Sequence, residues 1–156
     1  MTNPSAAGAA PSAELTPPDS PDVSALLGDW LNADRGAVSK GPLRLTVVER
    51  GTGIAVRATG NTAADSRLAA GRQPRDWGEV PAAVYTAPGD TATAWSFSAV
   101  YELGGLRTVV SAYHKTGILV VTASSVPLDG AGRPGEWTRS FFHRTADRAH
   151  RAEEDA

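Results

Sequence analysis

The strongest constraint on this chain is a period of two. Between Leu27 and Arg144 apolar side chains recur at every second residue far more clearly than at helical spacing, and glycine-bearing breaks interrupt the pattern at short intervals. Alternation of this kind places one apolar face and one polar face on an extended chain, so the expected fold class is all-β. Strands are predicted near Leu27–Asn32, Pro42–Arg50, Gly53–Gly60, Val80–Ala87, Thr93–Leu103, Leu106–Lys115, Ile118–Val126 and Glu136–Arg144. Three connections are short and contain glycine: Arg50-Gly51-Thr52-Gly53, Leu103-Gly104-Gly105-Leu106 and Lys115-Thr116-Gly117. Each can supply the positive φ of a tight hairpin, which makes the flanking strands antiparallel. An open eight-stranded meander would leave two edges free to aggregate. Closure into an up-and-down barrel removes both.

At 156 residues the chain is sized for one core. Residues 1–22 hold five of the 11 prolines among Ala, Ser and Gly, too little apolar surface to offset the entropy of ordering, so a disordered N-terminal tail is expected. Residues 145–156 carry Asp147, Arg148, Arg151, Glu153, Glu154 and Asp155 without a large apolar side chain, which reads as a short charged C-terminal tail. The barrel domain is then 23–144. Its 13 basic and 10 acidic residues give no field of the kind phosphate backbones require, so nucleic acid is not an expected partner. The absence of Cys excludes a disulfide scaffold, a thiolate nucleophile and cysteine metal sites. The most apolar window, Gly117 to Thr122, is far short of the ~18 residues of a membrane-spanning helix. With no basic n-region or apolar h-region at the N-terminus, the expected location is cytoplasmic, away from membranes.

Alternation within the fifth strand groups Trp95, Phe97, Ala99, Tyr101 and Leu103 on one face, which is expected to point inward. The sixth and last strands carry apolar residues on both faces, so either face of 106–115 and of 136–144 can be interior. Aromatic rings most often pack a core; the alternative is a ligand wall, for which Tyr85, Trp95, Tyr101 and Tyr113 are candidates because each joins an apolar body to a hydrogen-bond donor.

Two motifs go beyond generic β structure. The first strand contains Gly28-Asp29-Trp30 and the last ends Phe142-His143-Arg144. This resembles the calycin superfamily, which includes the lipocalins, where a Gly-x-Trp on strand one is capped by a basic side chain from the last strand. The resemblance implies that Trp30 plugs one barrel end beneath Arg144. A closer similarity, over most of Leu26 to Arg144, is to a small family of bacterial lipocalin-like domains, carried by Gly28-Asp29-Trp30-Leu31-Asn32, Gln73-Pro74-Arg75-Asp76-Trp77-Gly78, Asp129-Gly130-Ala131-Gly132-Arg133 and Phe142-His143-Arg144. Both cysteines of that pattern are lost here, Arg72 or its neighbour and Arg75 standing in their places. The long loop from Asn61 to Glu79 must then be held another way or be more mobile than in relatives.

For chemistry, Asp76-Trp77-Gly78-Glu79 is the densest mixture of polar and aromatic groups, expected to enter a strand from that loop. Trp77 can serve as a structural anchor with Asp76 satisfying turn amides. Alternatively Asp76 or Glu79, with Tyr101, forms a catalytic set if burial raises a carboxyl pKa. Arg57 and Arg107 interrupt neutral strand faces: inward they could hold a ligand anion, outward they solubilise. His114 joins the ligand-wall candidates. His114, His143 and His150 lack metal-ligand spacing, Ser111, Ser124 and Ser125 lie in no Gly-x-Ser-x-Gly elbow, and no phosphate loop or dinucleotide fingerprint occurs, so neither a metal nor a cofactor is expected. The expected function is binding of a small, largely apolar organic molecule inside the barrel. The alternative is a cofactor-independent cyclase or isomerase of natural-product biosynthesis, which needs little beyond shape and one acid or base. The Arg-rich, Lys-poor composition resembles that of actinobacterial proteins. A homodimer is compatible with all of this, as is a barrel whose interior is wholly filled and serves only as an interaction module.

Overall fold

The structure is a computed structural model and describes residues 20–34, 41–61, 74–130 and 132–145. Eight strands, β1 (Gly28–Asn32), β2 (Gly41–Arg50), β3 (Gly53–Asn61), β4 (Arg75–Ala87), β5 (Asp90–Leu103), β6 (Leu106–Lys115), β7 (Ile118–Pro127) and β8 (Glu136–Arg144), follow one another in chain order. Every neighbour is antiparallel, and β8 pairs back onto β1 to close the barrel. The all-β, up-and-down expectation therefore holds. Most of both expected tails, together with Arg72, Gln73, Ala131 and His150, lies outside the described residues.

Tight turns fix the register. Gly104 and Gly105 both take positive φ, 54° and 81°, which turns β5 into β6 in two residues and sets Leu103 against Leu106. Residues equidistant from that turn then face one another, so the inward phase of Phe97, Ala99 and Tyr101 dictates that Thr108, Val110 and Ala112 also face inward. In β8 the inward set is Thr138, Ser140, Phe142 and Arg144, opposite Trp137, Arg139, Phe141 and His143 outside. Where β2 and β3 cross most closely, a Cβ on Gly60 would lie 2.3 Å from the Gly41 carbonyl oxygen, so only glycine fits.

Two expectations are corrected by β-bulges, in which one strand carries an extra residue. β4 begins five residues before the predicted Val80, because Asp76-Trp77-Gly78 is part of the strand: Asp76 faces Thr59, Gly78 faces Ala58, and Trp77 is the extra residue, turned into the core. In β5, Ser96 faces Tyr85 and Ala94 faces Thr86, leaving Trp95 as the extra residue. The phase slips there, so Ala94 is buried and Trp95, expected beside Phe97 on the inner face, is 41% exposed on the outer one.

One end of the barrel is sealed by its own N-terminal approach. Asp22 bridges to Thr93, donating its N–H to the Ala92 carbonyl and accepting from Ala94 N–H, and the turn that follows drives Val23 and Leu26 into the core. Trp30 is fully buried below that turn and donates Nε1–H to the Leu26 carbonyl at 3.0 Å. Arg144 lies over the Trp30 ring at 4.6 Å and donates to the carbonyls of Ser24, Ala25 and Leu27. A single guanidinium thus ties β8, the plug and the capping turn together.

Candidate functional site

The interior beyond that plug is layered. The middle layer, read across six strands, is Ile54–Ala82–Ala99–Val110–Ala123–Thr138, of which three are alanines. On the plugged side lies Val84–Phe97–Ala112–Val121–Ser140. On the other side lies Tyr101–Thr108–Ser125–Glu136, above which Trp77 packs edge-on against Tyr101 with ring centroids 5.6 Å apart. An eight-stranded barrel is just wide enough for side chains to fill it, so a layer of small residues between aromatic layers is where one small ligand can be held.

The lining is asymmetric. Apolar residues of β3 to β6 face hydroxyls on β6 to β8: Thr108 and Ser125 share a hydrogen bond of 2.8 Å, and Thr138 and Ser140 stand beside them, inward and half-buried. Glu136 completes that wall at the end near Trp77. None of these residues is among the wall candidates read from sequence. The two-residue turns do carry the inward phase into β6 and β7, but the long connection from Pro127 to Gly135 transmits no register into β8.

Of the four wall candidates, only Tyr101 faces inward. It is 2% exposed and its hydroxyl donates to the Val56 carbonyl at 2.6 Å, so burial and then the carboxylates of Asp76 and Glu79 push its phenol well above the ordinary range. Tyr85, Trp95 and Tyr113 are on the outer face: Tyr85 exchanges a hydrogen bond with Ser98, and Trp95 packs edge-on against Tyr113 at 5.8 Å. Arg57 and Arg107 also face outward, paired with Asp76 and Glu102 respectively. Asp76 lies on the outer face beside Arg57. Its carboxylate receives the Arg57 guanidinium through Nε and Nη2 and the Gly78 N–H, which hold it below its ordinary pKa, whereas a general acid near neutrality needs the opposite shift. Glu79, on the same outer face, pairs with Arg50 at 3.1 Å. Trp77 is buried and donates Nε1–H to the Gly60 carbonyl.

His114 is inward but belongs to the plug, edge-on to Trp30 at 6.2 Å. Burial first, and then the nearby Arg144, hold its pKa below the ordinary 6.5. The unfolded chain therefore takes up this proton before the folded one does, so the stability His114 contributes is complete above 6.5 and is lost as pH falls below that value toward its folded pKa. Urea midpoints measured at about pH 7.5 and about pH 5.5, a window in which His is the side chain that ordinarily titrates, should fall on acidification. His114→Gln should shrink that fall; an equal fall in both proteins would remove His114 from the cause.

Among the described residues no group of three His, Cys, Asp or Glu is placed to hold a metal, and no helix is long and apolar enough to cross a membrane. No family model, curated protein or solved structure matches the chain.

Proposed function

We propose that this protein is a calycin-like barrel that binds one small, largely apolar organic molecule between the Tyr101–Trp77 pair and the Phe97 layer. The observation that supports this best is the middle layer, where Ala82, Ala99 and Ala123 occupy inward positions bounded on both sides by aromatic rings. A cyclase or isomerase acting in the same space has its sequence-predicted carboxylates, Asp76 and Glu79, on the wrong side of the sheet and Tyr101 committed to the backbone, so binding is the reading we adopt. The cysteine-free sequence suits a cytosolic setting.

The test is titration with the neutral probe N-phenyl-1-naphthylamine, whose emission rises in apolar surroundings, alongside quenching of the buried tryptophans Trp30 and Trp77. Saturable binding of one probe per barrel is expected. Emission that rises only linearly with probe, with tryptophan emission unchanged, would count against an internal site.

A further inference from the structure

Thr138 and Ser140 are neighbours on the inward face of β8, facing Ala123 and Val121 of β7. Both are half-buried, and among the described residues neither side-chain hydroxyl has a hydrogen-bond partner, in contrast to Thr108 and Ser125, which satisfy each other. Hydroxyls in an apolar interior are normally paired, because removing one from water without compensation costs about as much as a hydrogen bond contributes. Val or Ala at these positions would fill similar volume at no such cost. Their placement is also asymmetric, since the layer they belong to is otherwise Ile54, Ala82, Ala99, Val110 and Ala123 beside Thr138, and Val84, Phe97, Ala112 and Val121 beside Ser140. At the seam where β1 has ended, a Cβ on Gly41 would lie 3.1 Å from Thr138 Oγ1, so glycine in β2 leaves this hydroxyl clear.

Resting on the binding function proposed above, we infer that the ligand is a compact apolar molecule with one neutral hydrogen-bonding oxygen, a ketone or alcohol, which docks on the hydroxyls of Thr138 and Ser140 while its hydrocarbon body lies on the alanine layer. A carbonyl oxygen there accepts from both hydroxyls and displaces the water that would otherwise satisfy them. A pure hydrocarbon of the same shape leaves them unpaired, and that difference gives discrimination between otherwise matched ligands.

Fluorene and 9-fluorenone, nearly identical in shape, separate the two contributions when titrated by tryptophan quenching. The wild-type protein is expected to bind fluorenone about tenfold more tightly than fluorene, the fold-change of one hydrogen bond. In Thr138→Val/Ser140→Ala the preference should fall to near unity, and Thr138→Ser, which keeps the hydroxyl, should retain it. If the double variant does not fold, Ser140→Ala alone should lower the preference. Equal affinities in the wild-type protein, or an undiminished preference in a folded variant lacking the hydroxyls, would overturn the inference while leaving an internal site standing. Failure of both probes to bind would overturn the site and the inference together.

Discussion

Trp30→Ala is expected to lower the unfolding free energy by about 3–5 kcal/mol, the range for deleting a large buried ring when the surroundings cannot collapse into the gap. Collapse is hindered here because the ring's neighbours are fixed by other bonds. The Leu26 carbonyl loses its Nε1–H donor and remains buried, Arg144 keeps its three carbonyl acceptors but loses the ring it covers, and His114 loses its edge contact. Against the 5–15 kcal/mol typical of a domain, such a loss leaves the barrel marginal. Denaturant unfolding by far-ultraviolet circular dichroism would measure it as a lower midpoint at unchanged slope, with Trp30→Phe falling between the two proteins. A loss below about 1 kcal/mol would mean that the plug does not hold the barrel end closed.

The contact of Arg144 with Trp30 was legible in the sequence and most of the inward lining was not, for reasons that lie in particular residues. Trp30 and Arg144 are named by a short motif at each end of the domain, and the pairing of the first strand with the last brings Trp30 opposite Arg144 without any intermediate assumption. Alternation gave eight strands because their phase is mostly unbroken. It misplaced Trp95 because a bulge adds one residue near the start of β5, and nothing in Ala94-Trp95-Ser96 announces that the preceding strand, β4, skips it. The same device at Trp77 converted an expected turn into strand and carried Asp76 to the outside, where Arg57 of β3 meets it. In β6 the sequence held the answer unrecognised: Val109 and Tyr113 are as apolar as Val110 and Ala112, yet the two-residue Gly104-Gly105 turn ties the phase of β6 to that of β5. For β8 no such tie exists, so Thr138 and Ser140 became visible as inward hydroxyls only once the barrel was closed.

Ala123→Leu separates a barrel that holds a ligand from one whose side chains already fill it, and its expected effect on binding is the largest of any substitution in the interior. Ala123 lies in the alanine layer between Val110 and Thr138, at the centre of the proposed site. If the space beside it accommodates a guest, the added isobutyl group occupies that space instead. N-Phenyl-1-naphthylamine affinity should then drop by about a hundredfold or more, as expected when the guest's contact surface is lost together with its volume, while stability holds or rises because new apolar area is buried without strain. If Phe97, Tyr101 and Val110 already pack against Ala123 at the density of a closed core, the same change overpacks it and should cost about 1–3 kcal/mol. Ala99→Leu, two strands away in the same layer, repeats the test from a quarter turn round the barrel. Both measurements come from one preparation of each variant, a thermal melt and a probe titration. Loss of stability at both positions, with no probe bound by the wild-type protein, would identify the barrel as a solid scaffold and move the search for its function to the outer face, where Tyr85, Trp95, Trp137 and Phe141 stand exposed.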